Sequence, residues 1–126
     1  MAVKRHTLDI YGVELNLATN RRDWATMRRR LTWLAEKPTS AGLCSFATWH
    51  PKGGGATVPM LALWVDVANH EPIELVETCA HEAAHAAGQM LDYLGHDVRG
   101  TGGTDEPHAY LVGWLTRWMF EGCADA

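Results

Sequence analysis

The sequence predicts an α+β protein in which a small, mostly antiparallel sheet packs with three main helices. Short alternating apolar runs bounded by glycine and proline are typical of strands, and longer runs with apolar residues every three or four positions are typical of amphipathic helices. The chain has 126 residues, of which 47% are apolar. That is enough to bury one core, so a single domain over residues 1–126 is expected.

The first part of the chain combines strand-like and helical patterns. Residues 6–17 alternate as a strand, or as a hairpin broken at Tyr11 and Gly12. Asn20 is a favourable N-cap, and the helix that follows it is expected to run to about Glu36. Its apolar stripe consists of Trp24, Met27, Leu31 and Leu34.

Two further strand-like runs cover residues 42–50 and 58–67. In the second run, alternation places Leu61, Leu63, Val65 and Val67 on one face and Met60, Ala62, Trp64 and Asp66 on the other. The glycine-rich segment between the runs is expected to be a loop. No Lys-Ser/Thr pair follows its three glycines, so the segment is not expected to bind phosphate.

A long helix is expected from about Pro72 to Leu94, and its polar side carries His81 and His85. Two histidines four positions apart lie one above the other on the same helix face, so both can reach one tetrahedral cation, with Glu82 beside it. The ordinary alternative is a pair of solvated surface histidines. The position of Glu82, the helical context and the acidic residues downstream together favour a zinc site.

A catalytic zinc ion takes three protein ligands and keeps one position open. Candidates for the third ligand occur in the segment Gly-Thr-Asp-Glu-Pro-His-Ala-Tyr, residues 103–110, where another helix is expected to begin and to run to about Phe120. The residues alone leave four possibilities open. These are Glu106, Asp105, His96 and His108.

The motif His81-Glu82-Ala-Ala-His85, followed after twenty residues by Glu106, resembles the gluzincin branch of the zincin metalloproteases. The metzincin pattern is followed only to Gly88, because Leu91 occupies the position of its third histidine. The gluzincin resemblance implies a minimal zincin-like domain with zinc bound between the last two helices by His81, His85 and Glu106. It also implies a sheet edge above the metal, where an extended peptide can pair.

The function implied by this resemblance is zinc-dependent hydrolysis of peptide bonds, with Glu82 as the general base and a zinc-bound water as the nucleophile. Tyr110 and His96 are expected to stabilise the oxyanion, ahead of His108 and Arg99. The alternative is a zinc-stabilised protein that binds a protein partner without catalysis. Glu82 favours the enzyme, because a purely structural zinc site needs no general base. Small proteins with this motif resemble products of phage and prophage genomes.

Charge and cysteine content bear on partners and compartment. Residues 1–37 carry eight Lys or Arg and four acidic residues, whereas the remainder carries three and eleven. The basic segment is interpreted as a solvated helix face, so the expected partner is a protein or peptide substrate rather than nucleic acid. Three cysteines and no long apolar segment indicate a cytoplasmic protein without a membrane span; its oligomeric state stays open.

Overall fold

A computed structural model of the chain describes residues 2–95 and 106–126. The elements in chain order are β1 (Lys4–Leu8), β2 (Val13–Ala18), α1 (Arg21–Arg30), β3 (Gly42–Trp49), β4 (Val58–Val65), a short 3₁₀ turn (Val67–Asn69), α2 (Pro72–Tyr93) and α3 (Glu106–Ala124). The expected α+β class, with three main helices, is confirmed.

The four strands form one mixed sheet in the order β1-β2-β4-β3. The β1–β2 and β3–β4 pairings are antiparallel, and β2 pairs with β4 in parallel, with Leu15 opposite Leu61 and Leu17 opposite Leu63. The sequence pattern does not predict the parallel pairing, because β2 and β4 are far apart in the chain. As a result, β3 lies at one edge of the sheet.

Helices cover both faces of the sheet. One face buries Leu15, Leu61 and Leu63 against α2 and α3. The other face buries Met60 and Trp64 against α1. The expected alternation along β4 is therefore confirmed, and both faces of its central part are fully buried, as is usual for a strand between two neighbours.

The first helix ends earlier than its apolar stripe predicts. Asn20 is the N-cap as expected, and its side-chain oxygen accepts a hydrogen bond of 2.8 Å from the backbone N–H of Asp23. The helix ends at Arg30, six residues before Glu36, and the chain then turns back. The turn is held because Trp24 Nε1 donates to the carbonyl oxygen of Ala35 at 3.0 Å. Leu34 is still buried, but from an irregular segment.

Helices α2 and α3 pack side by side on the sheet. Cys79 in the first half of α2 contacts Cys123 in the last turn of α3, and the two helices run antiparallel. The expected bounds of α2 are confirmed, whereas α3 continues one turn beyond Phe120, to Ala124. Among the helices of the described ranges, none is both long and apolar enough to cross a bilayer.

Candidate metal centre

The two histidines of the central motif lie on the exposed side of α2. The ring centroids of His81 and His85 are 4.8 Å apart, with an angle of 78° between the ring planes. Both side chains are exposed to solvent. The expected placement of two neighbouring imidazoles on one helix face is confirmed, and their exposure leaves room for further ligands.

Glu82 differs from the histidines, because its side chain points back under the sheet and is only 7% exposed. Burial raises the pKa of the Glu82 carboxyl above its ordinary value of 4.5, and positive charge on His81 and His85 opposes part of this rise. A carboxylate that is poorly hydrated and adjacent to two imidazoles is suited to accept a proton.

The strand beside Glu82 is β3, and its first residue, Gly42, packs tightly against α2. A Cβ atom built on Gly42 would lie 2.7 Å from Thr78 Cγ2 and 2.8 Å from Glu82 Oε2. A side chain at this position would force Thr78, Glu82 or the start of β3 to shift. Gly42 could not be recognised from the sequence, since a glycine at the start of a strand-like run gives no sign of what it packs against.

Two more side chains of β3 lie along α2. The thiol of Cys44 donates a hydrogen bond of 3.3 Å to Gln89 Oε1, and the ring of Phe46 lies 5.2 Å from that of Tyr93. Burial, together with the nearby negative charge of Glu82, raises the pKa of the Cys44 thiol to about 12. Cys44 is therefore a neutral thiol on the strand beside the motif.

His70, just before α2, connects the end of the sheet to this helix. Its Nε2 atom lies 2.9 Å from Thr78 Oγ1, and its Nδ1 atom lies 2.5 Å from the carbonyl oxygen of Asp66. Since Thr78 also contacts Gly42, the imidazole fixes the part of α2 that faces the beginning of β3. His70 could not be recognised from the sequence, because its two partners become neighbours only in the fold.

Of the other candidate site residues, the described part of the chain contains Glu106, His108 and Tyr110, and it does not group Glu106 or His108 with the histidine pair. Glu106 is the first residue of α3 and is exposed. Along the axis of α3, Glu106 lies about 25 Å from Cys123, whereas His85 lies only about 9 Å from Cys79 along α2. Since Cys79 and Cys123 are in contact, Glu106 lies well beyond the level of His85. Glu106 as the third ligand therefore stays a prediction.

Tyr110 is 78% exposed and lies beside the turn between β1 and β2, where it lines a concave surface with Ile10 and Trp114. His108 is half-buried in the first turns of α3. His96 and Asp105 lie outside the described residues. The oxyanion roles given to Tyr110 and His96 remain predictions.

Within residues 2–95 and 106–126, no three His, Cys, Asp or Glu side chains are grouped so that they could hold a metal ion together. The part of the site that is described nevertheless fits zinc. Two exposed imidazoles one helical turn apart supply nitrogen ligands that zinc prefers, and their open side can take a third ligand and a substrate.

Comparison with known proteins gives no relative. No family model matches the chain, and neither a curated protein nor a solved structure matches it. The functional inference that follows therefore depends on the residues of this chain.

Proposed function

We propose that this protein is a zinc-dependent peptidase that cleaves an extended protein or peptide substrate. One observation carries the proposal. The buried Glu82 carboxyl lies between two exposed, neighbouring imidazoles on one side and the edge strand β3 on the other. A structural metal site has no use for a buried carboxylate at this position, whereas hydrolysis requires a general base there.

His81 and His85 hold the zinc ion in this proposal, and Glu106 is the third ligand that the gluzincin resemblance implies. A bound zinc ion supplies Lewis-acid chemistry, which polarises the substrate carbonyl and makes water nucleophilic near neutral pH. Because Glu106 lies well beyond the level of His85 along the antiparallel helices, binding through Glu106 requires the start of α3 to unwind and extend back towards the histidines. Asp105, His96 and His108 are the alternatives.

Glu82 is the general base. Its carboxylate accepts a proton from the attacking water and then delivers it to the leaving amine nitrogen. Burial supports this role in two ways. It raises the pKa of the carboxyl, which makes the carboxylate a stronger base, and it packs the side chain between α2 and Gly42.

The edge strand β3 is the proposed binding surface for the substrate backbone. β3 pairs with β4 on one side only, so its other side offers backbone N–H and C=O groups to an extended peptide. Edge strands are usually protected by charged residues, yet β3 contains no charged residue along its length, Gly-Leu-Cys-Ser-Phe-Ala-Thr-Trp. A peptide paired here passes directly over the His81–His85 side of α2.

The test is the substitution Glu82→Gln, with Glu77→Gln as the matched control. Glu77 is an exposed acid on the same helix. Zinc content is measured by elemental analysis, and cleavage of unfolded casein is followed by mass spectrometry. We expect both variants to bind zinc as the wild type does, and only Glu82→Gln to lose activity, by about 10²–10⁴-fold.

Three results would overturn the proposal. One is a purified wild-type protein that binds no zinc even when zinc is supplied. Another is a folded Glu82→Gln variant that cleaves casein at the wild-type rate. If zinc binds but neither wild type nor variant cleaves any unfolded protein, the non-catalytic binding role replaces the peptidase.

A further inference from the structure

Two of the three cysteines meet in the core between α2 and α3. The Sγ atoms of Cys79 and Cys123 are 3.8 Å apart, and the two residues are 0% and 3% exposed. The third cysteine, Cys44, is on β3 and bonds to Gln89 instead. An odd number of cysteines separated by long stretches of chain gives no indication of this pair in the sequence.

We propose that Cys79 and Cys123 are an oxidation site that forms a reversible intramolecular disulfide. The two sulfur atoms are already in direct contact, so the bond requires an approach from 3.8 Å to about 2.05 Å. Small rotations of the two side chains, together with a slight shift of the last turn of α3, bring the two sulfur atoms to bonding distance.

The oxidant is a small peroxide. Hydrogen peroxide oxidises one thiol to a sulfenic acid and releases one water molecule; the second thiol then attacks that sulfur, forms the S–S bond and releases a second water molecule. In total the two thiols lose two protons and two electrons, which reduce the peroxide to water. Because both thiols are buried, the peroxide enters when the last turn of α3 opens, and the reaction is slow compared with that of an exposed thiol.

The disulfide has a physical consequence for the whole fold. It closes a loop across the 44 positions that separate the two cysteines and so lowers the conformational entropy of the unfolded chain. It also ties the first half of α2, where His81 follows Cys79 by two residues, to the end of α3. We therefore expect the oxidised protein to unfold at a higher temperature, by on the order of 10 °C.

The wild-type chain permits a direct test, because trypsin places the three cysteines on three different peptides, residues 31–52, 53–99 and 118–126. Protein purified in reductant is treated with hydrogen peroxide, its remaining thiols are alkylated, and the digest is analysed by mass spectrometry. We expect peptides 53–99 and 118–126 to be linked, and the link and the rise in Tm to disappear after treatment with dithiothreitol.

Matched variants separate the pair from the third thiol. Cys44→Ser should keep the link and the rise in Tm, and Cys123→Ala should lose both while keeping the wild-type circular dichroism spectrum. A link to peptide 31–52, a link between two molecules, or sulfonic acid on one cysteine without any link would overturn the proposal. The peptide map of the wild type gives this answer even if Cys123→Ala does not fold.

Discussion

Gly42 lies directly against the carboxyl group of Glu82, with room for no side chain between them. A Cβ atom at Gly42 would be 2.8 Å from Glu82 Oε2 and 2.7 Å from Thr78 Cγ2. This contact joins the edge strand of the sheet to the residue proposed as the general base. The position of the Glu82 carboxylate relative to a substrate on β3 therefore depends on the absence of a side chain at position 42.

The substitution Gly42→Ala is expected to displace either Glu82 or the start of β3, because contacts shorter than 3.0 Å cannot persist. We expect cleavage of unfolded casein to fall at least tenfold while zinc stays bound, since His81 and His85 lie outside this contact. The free energy of unfolding should fall by about 1–3 kcal/mol, as for other overpacked sites. Peptidase assays and urea unfolding measure the two effects.

Gly88→Ala is the matched control, because Gly88 is in α2 and a Cβ atom there meets nothing within 4 Å. Alanine favours a helix over glycine, so this variant should be more stable than wild type by about 0.5–1 kcal/mol. Its activity should stay close to that of wild type. Equal activity in the Gly42→Ala and Gly88→Ala variants would show that the close contact has no role in catalysis.

The motif on α2 could be predicted from the sequence, whereas the packing of β3 against it could not. His81, Glu82 and His85 are fixed relative to one another by helical periodicity, which is local and independent of the rest of the fold. The contact between Gly42 and Glu82 depends on which strand lies at the edge and on its register. Strand order and register arise from pairings between distant parts of the chain, including the parallel pairing of β2 with β4.

The end of α1 shows a similar limit. The apolar spacing from Trp24 to Leu34 continues a helical pattern, but the chain leaves the helix after Arg30 because side chains of α1 bond to carbonyl groups beyond it. Leu34 is buried although it lies outside the helix. Apolar periodicity therefore indicated correctly which residues enter the core and gave the wrong helix end.

The third zinc ligand can be identified by zinc affinity, measured through competition with a chromophoric chelator. Glu106→Gln is expected to weaken zinc binding by at least tenfold, since it removes the one anionic ligand and leaves two imidazoles to hold the ion. Glu121→Gln is the matched control, because Glu121 is an exposed acid on the same helix and pairs with Arg117. If both variants bind zinc as tightly as wild type, the ligand is not Glu106, and Asp105→Asn and His96→Ala are tested next.

Far from the motif, the buried carboxylate of Glu14 pairs with two partly exposed arginines. Glu14 is 8% exposed on β2, and its carboxylate accepts bonds from Arg5 at 2.7 Å and Arg30 at 2.9 Å. Burial alone would raise the pKa of Glu14, but the hydrogen bonds from Arg30 and Arg5 outweigh it and hold the pKa below the ordinary value of 4.5.

A pKa that is lower in the folded than in the unfolded chain makes Glu14 a source of acid sensitivity. Its ionised form stabilises the fold fully above pH 4.5, and this contribution is lost as the pH falls through the lower folded pKa. Glu14→Gln should therefore cost about 2 kcal/mol at pH 7 and much less at pH 3. Urea unfolding at both pH values measures the difference, with the exposed Glu36→Gln as control. A cost for Glu14→Gln that is the same at both pH values would mean that the charge on Glu14 does not stabilise the fold.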